Sequence, residues 1–244
     1  METKLILFLK QHPLLYHFAR SFYWKVFSLK AQILGTKTEE RKWATRGLSK
    51  FPKSFAVNHS HRPFLLEKIS ALRPFSTILE VGCSYGPNLY LIAKRFPKTK
   101  LTGIDINPLF IQEGEEWLSK EGISNIKLLV GKADELNKFQ DKSFDIVFTD
   151  ALLIYVAPDK IKKVIQEMLR ITRRALILVE WHYKDQNKDP HGLGVYHLGC
   201  WKRNYVNLLK QFAPENQIHI TKIPKELWPA GDWGNIGYVI EAIL

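Results

Sequence analysis

From residue 77 onward, short apolar runs alternate with stretches whose apolar residues recur every three or four positions. The runs at 77–82, 100–106, 126–130, 144–149 and 175–181 are nearly continuous in Ile, Leu, Val and Phe. That is the pattern of strands covered on both faces. Helices are predicted at 87–95, 108–120 and 158–171, each opening on a proline (Pro87, Pro108 and Pro158), where the missing N–H costs nothing. Past 181 the pattern predicts a long loop at 182–199 and a helix at 200–212. Strands at 217–223 and 236–244 follow, paired as a hairpin around KELWPAGDWGN. The expected fold class is α/β, a doubly wound, mostly parallel seven-stranded sheet ending in an antiparallel hairpin.

The first 60 residues read differently. Leu15, Phe18, Phe22, Val26, Leu29 and Ile33 form one helical stripe after a break near Pro13. Tyr16, Tyr23, Trp24 and Phe27 lie off that stripe among Arg20, Lys25 and Lys30, so this helix is apolar around much of its girth. Residues 35–53 read as a charged connection, and 61–72 as a second helix closed by Arg73–Pro74. The chain therefore divides into a basic helical extension, 1–60, and an α/β domain, 61–244.

Charge sharpens that division. Of a net charge of +12, residues 1–60 hold 11 Lys or Arg against 3 Glu, whereas the remainder is close to balanced. Lys and Arg mixed with Trp and Phe on one helix fit either a lid over the domain or contact with an anionic membrane surface. No apolar run approaches the ~18 residues of a membrane span. The opening METKLILFLKQHP resembles a signal peptide, but Lys10 and Pro13 interrupt it and no small-residue cleavage site follows. The two cysteines, Cys83 and Cys200, make no disulfide framework, which points to a reducing, cytoplasmic setting.

The candidate chemistry begins at ILEVGCSYGPNLYLIA, residues 78–93. It reads as strand, glycine turn and helix, with Glu80 near the strand's end. About 20 residues past the turn, LTGIDI ends a second strand in Asp105. This series holds a nucleoside at the edge of an open parallel sheet. A dinucleotide site needs G-x-G-x-x-G, but here Ser84 and Pro87 stand at the second and third glycine places. A carboxylate at Glu80 would repel a pyrophosphate and suits an ammonium group.

These residues resemble motif I of the class I S-adenosylmethionine-dependent methyltransferases, and the resemblance runs over roughly 77–181. It implies S-adenosylmethionine as cofactor, bound by Glu80, Gly82, Cys83, Ser84, Gly86, Asp105, Ile106, Ala133, Asp134 and Asp150. Asp105 would take the ribose hydroxyls. Where many members read G-D-A-x-x-L with the Asp on the adenine amine, this chain reads GKADEL. Lys132 replaces that acid, leaving Asp134 or the backbone around Ala133 to hold the ring. In SFDIVFTDALLIYV, Asp145 would start strand 4 in a structural role and Asp150 would end it.

Ligands of open α/β sheets bind beyond the carboxyl ends of the strands. This places Tyr155, Trp181, His197, Trp228 and Trp233 around an acceptor, with Asp150 and His182 as candidates for a base or an acceptor-orienting group. His182, His191 and His197 share one loop, but their spacing matches no standard metal site. The expected activity is methyl transfer to a small-molecule or lipid-linked acceptor. Two alternatives stand beside it. One is an RNA methyltransferase, which ranks lower because no RNA-binding module is present and TDAL stands where base-amine methylases carry N-P-P-Y. The other is a silent scaffold that keeps the fold without the chemistry, a reading that Lys132 favours.

Overall fold

The computed structural model describes residues 12, 15, 37–47, 56–185, 187–197, 199–229 and 231–244. Apart from Leu15, the helical stripe read at 15–33, and with it the choice between lid and membrane contact for that segment, lies outside the described residues.

Seven strands form one sheet: β1 (Thr77–Val81), β2 (Lys100–Asp105), β3 (Ile126–Val130), β4 (Phe144–Asp150), β5 (Thr172–Trp181), β8 (Ile218–Lys222) and β9 (Gly237–Ile243). Their order is β3-β2-β1-β4-β5-β9-β8. The first five pair in parallel, and β9 runs antiparallel to both β5 and β8. β8 thus points the same way as the parallel strands, so the loop after it opens at their carboxyl ends. The expected doubly wound sheet with its closing antiparallel pair is what the chain forms.

Both faces of the central strands β1, β4 and β5 are dry, which explains their continuous apolar runs, while the edge strands β3 and β8 are partly exposed. Ile78, Ile146, Phe148 and Ile177 face one core, and Leu79, Val147, Leu176 and Leu178 face the other. Helices α2 (His61–Ala71), α3 (Pro87–Arg95) and α4 (Pro108–Lys120) cover the first face. Helix α5 (Ile161–Ile171) covers the second through Ile161, Val164, Ile165, Met168 and Ile171. A helix buries such a three-and-four stripe on one side.

The structure corrects the reading in several places. The connection assigned to 35–53 contains a helix, α1 (Lys37–Ala44). It has little apolar periodicity of its own and is held by tertiary contacts. The helix expected at 200–212 begins only at Tyr205, where α6 (Tyr205–Leu209) is capped by Asn204 accepting from the Asn207 N–H. Before it, β6 (Val195–His197) and β7 (Cys200–Lys202) form a small hairpin inside and beyond the expected loop. The last helix, α7 (Trp233–Ile236), is a single turn within the β8–β9 connection. Strand β5 also starts earlier than expected, at Thr172, whose hydroxyl donates to the Met168 carbonyl at 2.6 Å and ties strand to helix. Among the described residues no helix is long and apolar enough to cross a membrane.

Candidate cofactor and acceptor site

A cavity of about 290 Å³ opens at the carboxyl ends of β1, β2 and β4. Its floor is the turn after β1. The Gly82 and Cys83 N–H groups both donate to the Ile104 carbonyl, at 2.7 and 3.0 Å, which bends the chain sharply over β2. Gly82 has φ +79°, and a Cβ there would sit 2.9 Å from Leu152. Both constraints call for glycine. Ser84 also lies in the left-handed region, at φ +52°, the conformation glycine would take at least cost. Gly86 starts helix α3 beneath the turn and does not line the cavity.

Asp105 faces this turn from the end of β2. One carboxylate oxygen accepts from the Ser84 N–H at 2.8 Å and the other from the Asn107 N–H at 2.9 Å. Burial raises its pKa, against these backbone bonds. Asn107, not Asp105, caps α4, its side-chain oxygen accepting from the Leu109 and Phe110 N–H groups. The Asn107 amide nitrogen donates to the carbonyls of Trp43 and Arg46, both at 2.9 Å. That bond pair docks α1 over the cavity, which Glu39, Glu40 and Trp43 help to line.

Lys132 lies at this same end, 3.5 Å from Glu40 and 3.6 Å from Glu135. Asp134 pairs with Lys160 at 2.9 Å, and Lys160 also pairs with Glu40. The acid missing at position 132 thus has a carboxylate beside it after all, supplied by α1 from 92 residues earlier in the chain. Ile106 and Ala133 line the wall between them.

The opposite end is built around Asp150. Its Oδ2 accepts from His61 Nε2 at 2.8 Å, Asn88 Nδ2 at 2.9 Å and Arg62 Nη1 at 3.3 Å. All four residues are almost wholly buried, with side-chain exposures of 1% for His61 and 6% for Asp150. Burial alone would raise the Asp150 pKa; His61 and Arg62 instead hold it below the usual carboxylate range. Asn88 Nδ2 also donates to Glu80 Oε1 at 2.7 Å, so one amide bridges two acids. Burial pushes the Glu80 carboxyl well above its ordinary range. Three buried oxygens along the cavity accept or donate nothing within the protein: Glu80 Oε2 and Asp150 Oδ1 at this end, and Ser84 Oγ in the turn. All three residues line the cavity. Buried polar atoms are rarely left so, and their clustering marks where a polar ligand group belongs.

Of the acceptor-side residues, Tyr155, Trp228 and Trp233 line the cavity. Trp228 and Trp233 stack face to face at 3.9 Å, and Trp43 tilts against Tyr155 at 4.7 Å. Trp181 and His197 do not line it. Trp181 packs behind Trp233 at 5.9 Å, and His197 pairs with Asp232 at 2.8 Å. His182 is also withdrawn. It is 3% exposed, its Nδ1 accepts from the Tyr205 N–H at 3.3 Å, and its ring packs on Tyr238. With no face toward the cavity, His182 supports the fold there. The three loop histidines are accordingly scattered. Asp145 sits at the far end of β4, where it accepts from Ser76 and Thr77 and pairs with Arg173. Glu180 works from behind the site. Buried, it is pushed up to about 7, and it accepts from Thr149 and from the Leu152, Leu153 and Ile154 N–H groups, fixing the turn after β4.

The sequence reading missed His59, His61, Arg62 and Asn88. Asn88 was within reach, two positions past Gly86 on the first turn of α3. The HSHR stretch had no local signal, because its partner Asp150 is 89 residues away from His61.

Residues 78–175 match the family described as "Methyltransferase domain". They form a class I S-adenosylmethionine-dependent methyltransferase domain. The chain is 29% identical over 150 residues to a 2-methyl-6-phytyl-1,4-hydroquinone methyltransferase of Synechocystis sp., a match covering 59% of this chain and 42% of that protein. The chain spans about half the length of the curated relatives it matches. Among solved structures, the methyltransferase domain and its surroundings resemble the PH0226 protein of Pyrococcus horikoshii, with 17% identity, 80% and 96% of the two chains covered and a TM-score of 0.59. They also resemble the geranyl diphosphate C-methyltransferase of Streptomyces coelicolor, at 14% identity, 75% and 78% coverage and a TM-score of 0.56. At these identities the likeness is one of fold.

Proposed function

We propose that the protein transfers a methyl group from S-adenosylmethionine to a small-molecule or lipid-linked acceptor. The observation that carries this reading is the pair of buried, unpartnered carboxylate oxygens, Glu80 Oε2 and Asp150 Oδ1, on two acids bridged by Asn88 and facing one cavity. Such a pair suits the ammonium of a methionine moiety. Asp105, at the next strand's end, keeps lone pairs for two vicinal hydroxyls. Ile106, Ala133 and Asp134 flank the remaining end, with Glu40 and Lys132 beside them.

When bound there, the cofactor supplies a methyl already activated on a sulfonium. The protein's work is then to exclude water and to align the acceptor. Trp43, Tyr155, Trp228 and Trp233 give the acceptor end an aromatic, mostly apolar wall, which favours an acceptor with an apolar or ring-bearing body. The relatives' names, a phytyl hydroquinone methyltransferase and a geranyl diphosphate C-methyltransferase, are in keeping with that class.

Calorimetric titration with S-adenosylhomocysteine tests the reading directly. The wild-type chain binds it, and Asp105→Ala weakens binding about 10- to 100-fold, the loss of one or two bonds to a charged acceptor. No binding by the wild type refutes the proposal; unchanged affinity in the variant removes Asp105 from the ribose site.

A further inference from the structure

Beyond Asp105 the cavity ends in an apolar slot with a charged rim. Ile106, Phe110, Ala133, Val156 and Val164 supply its apolar walls. The Gly131 N–H donates to the Asp105 carbonyl at 2.9 Å, so the loop after β3 begins where β2 ends. A ligand whose ammonium reaches Glu80 and Asp150 and whose hydroxyls face Asp105 puts its base into this slot. The rim carries two linked ion pairs. Lys160 holds Asp134 at 2.9 Å and also holds Glu40. Lys132 lies 3.5 Å from Glu40. All four residues line the cavity.

Lys160 is the clamp of this group. Burial works against its charge, and Glu40 and Asp134 more than offset that and raise its pKa. The Glu40–Lys132 contact is looser. At 3.5 Å it is longer than the ~2.8 Å of a charge-assisted hydrogen bond, so both groups keep capacity for another partner. A carboxylate only accepts and an ammonium only donates. Side by side, they complement an edge that offers a donor next to an acceptor. Adenine has such an edge, its 6-amine standing beside a ring nitrogen that accepts. In a 6-oxo purine held the same way, an oxygen would stand against the Glu40 carboxylate and be repelled.

We infer that Glu40 and Lys132 together read the adenine of the cofactor, Glu40 accepting from the 6-amine and Lys132 donating to the ring nitrogen beside it. The inference rests on the methyl-transfer reading above and specifies what holds the far end of its cofactor. Lys132 then no longer favours a silent scaffold, because it is one half of a base-reading pair. Helix α1, which lies outside the matched residues 78–175, supplies the other half.

The test is calorimetric titration of the full chain, as wild type, Glu40→Ala and Lys132→Met. The two ligands are S-adenosylhomocysteine and S-inosylhomocysteine, in which an oxygen replaces the 6-amine. Wild type should prefer the amine about 10- to 100-fold, since one charge-assisted bond is lost and an oxygen meets a carboxylate. In Glu40→Ala that preference should fall to about threefold or less. Lys132→Met should bind S-adenosylhomocysteine about 5- to 20-fold more weakly than wild type. The ratio of the two ligands on one variant cancels any loosening of α1, whose seat on Asn107 runs through the Trp43 and Arg46 carbonyls. A wild type that binds both ligands within about threefold, a Glu40→Ala chain that keeps the wild-type preference, or a Lys132→Met chain of unchanged affinity overturns this inference alone. Failure of the wild type to bind S-adenosylhomocysteine overturns the methyl-transfer reading and this one with it.

Discussion

Gly114 lies inside α4, where helix propensity alone says that alanine should be better by about 1 kcal/mol. The structure predicts the opposite sign. A Cβ on Gly114 would sit 2.6 Å from Leu128 Cδ1 and 2.6 Å from the Tyr85 carbonyl oxygen. Leu128 can change rotamer, but Tyr85 belongs to the turn that floors the cavity, and its carbonyl is backbone. To move that oxygen from 2.6 Å to the 3.4 Å of ordinary contact, the turn or the helix must shift. Overpacking of this kind costs about 1–3 kcal/mol, and more when no side chain can yield. Set against the propensity gain, Gly114→Ala should destabilise the protein by about 1–2 kcal/mol, a fall of roughly 2–8 °C in Tm at this chain length. A ligand that needs the turn in place must restore it, so S-adenosylhomocysteine affinity should drop about 5- to 30-fold. Differential scanning calorimetry and ligand titration measure the two effects. Gly47→Ala, with nothing within 4 Å of the added carbon, is the control. Adding Leu128→Ala should not restore affinity, because the carbonyl clash remains. A higher Tm with unchanged affinity in Gly114→Ala would refute the close-approach argument.

Asp150→Ala strands the buried Arg62 guanidinium and His61 without their shared acid; guanidinium unfolding should show a loss of about 3–5 kcal/mol, and a loss under 1 kcal/mol would contradict the cluster's role. His182 is pushed down from 6.5 to about 4, by burial first and then by Lys184. The unfolded chain therefore binds a proton that the native state refuses between those values, and the stability this group contributes is complete above pH 6.5 and lost as pH falls toward 4. Urea unfolding should show about 2 kcal/mol of it disappearing between pH 7 and pH 5, and His182→Gln should flatten that slope. Lys142 is exposed with φ +52° before β4, so Lys142→Gly should stabilise by about 1 kcal/mol in the same assay; no gain would mean that the turn carries no strain.

The sheet was legible because its central strands are buried twice over and announce themselves as apolar blocks, two of them followed by helices that open on Pro87 and Pro108; the helix read from Pro158 begins instead at Ile161, three residues on. The turn at 82–87 was legible because its glycines and Asp105 answer a local backbone demand. What escaped were residues whose reasons lie far along the chain. Helix α1 looks like a linker, since KTEERKWA gains its order from Asn107, Lys132 and Lys160 rather than from any stripe of its own. His61 and Arg62 open a helix whose buried face is polar there, which periodicity treats as noise. His182 misled for the converse reason: it follows a strand that points at the site, yet its ring turns into the core beside Tyr205 and Tyr238.

Asn107 uses every polar atom of its side chain, two bonds received at the start of α4 and two given to backbone carbonyls in and just past α1, while its own N–H rests on Asp105. One amide thereby makes the seating of residues 37–47 and the posture of the nucleoside-facing acid a single thermodynamic event. Whatever grips Asp105 slows amide hydrogen exchange in α1, and by reciprocity whatever clamps α1 strengthens that grip by the same factor.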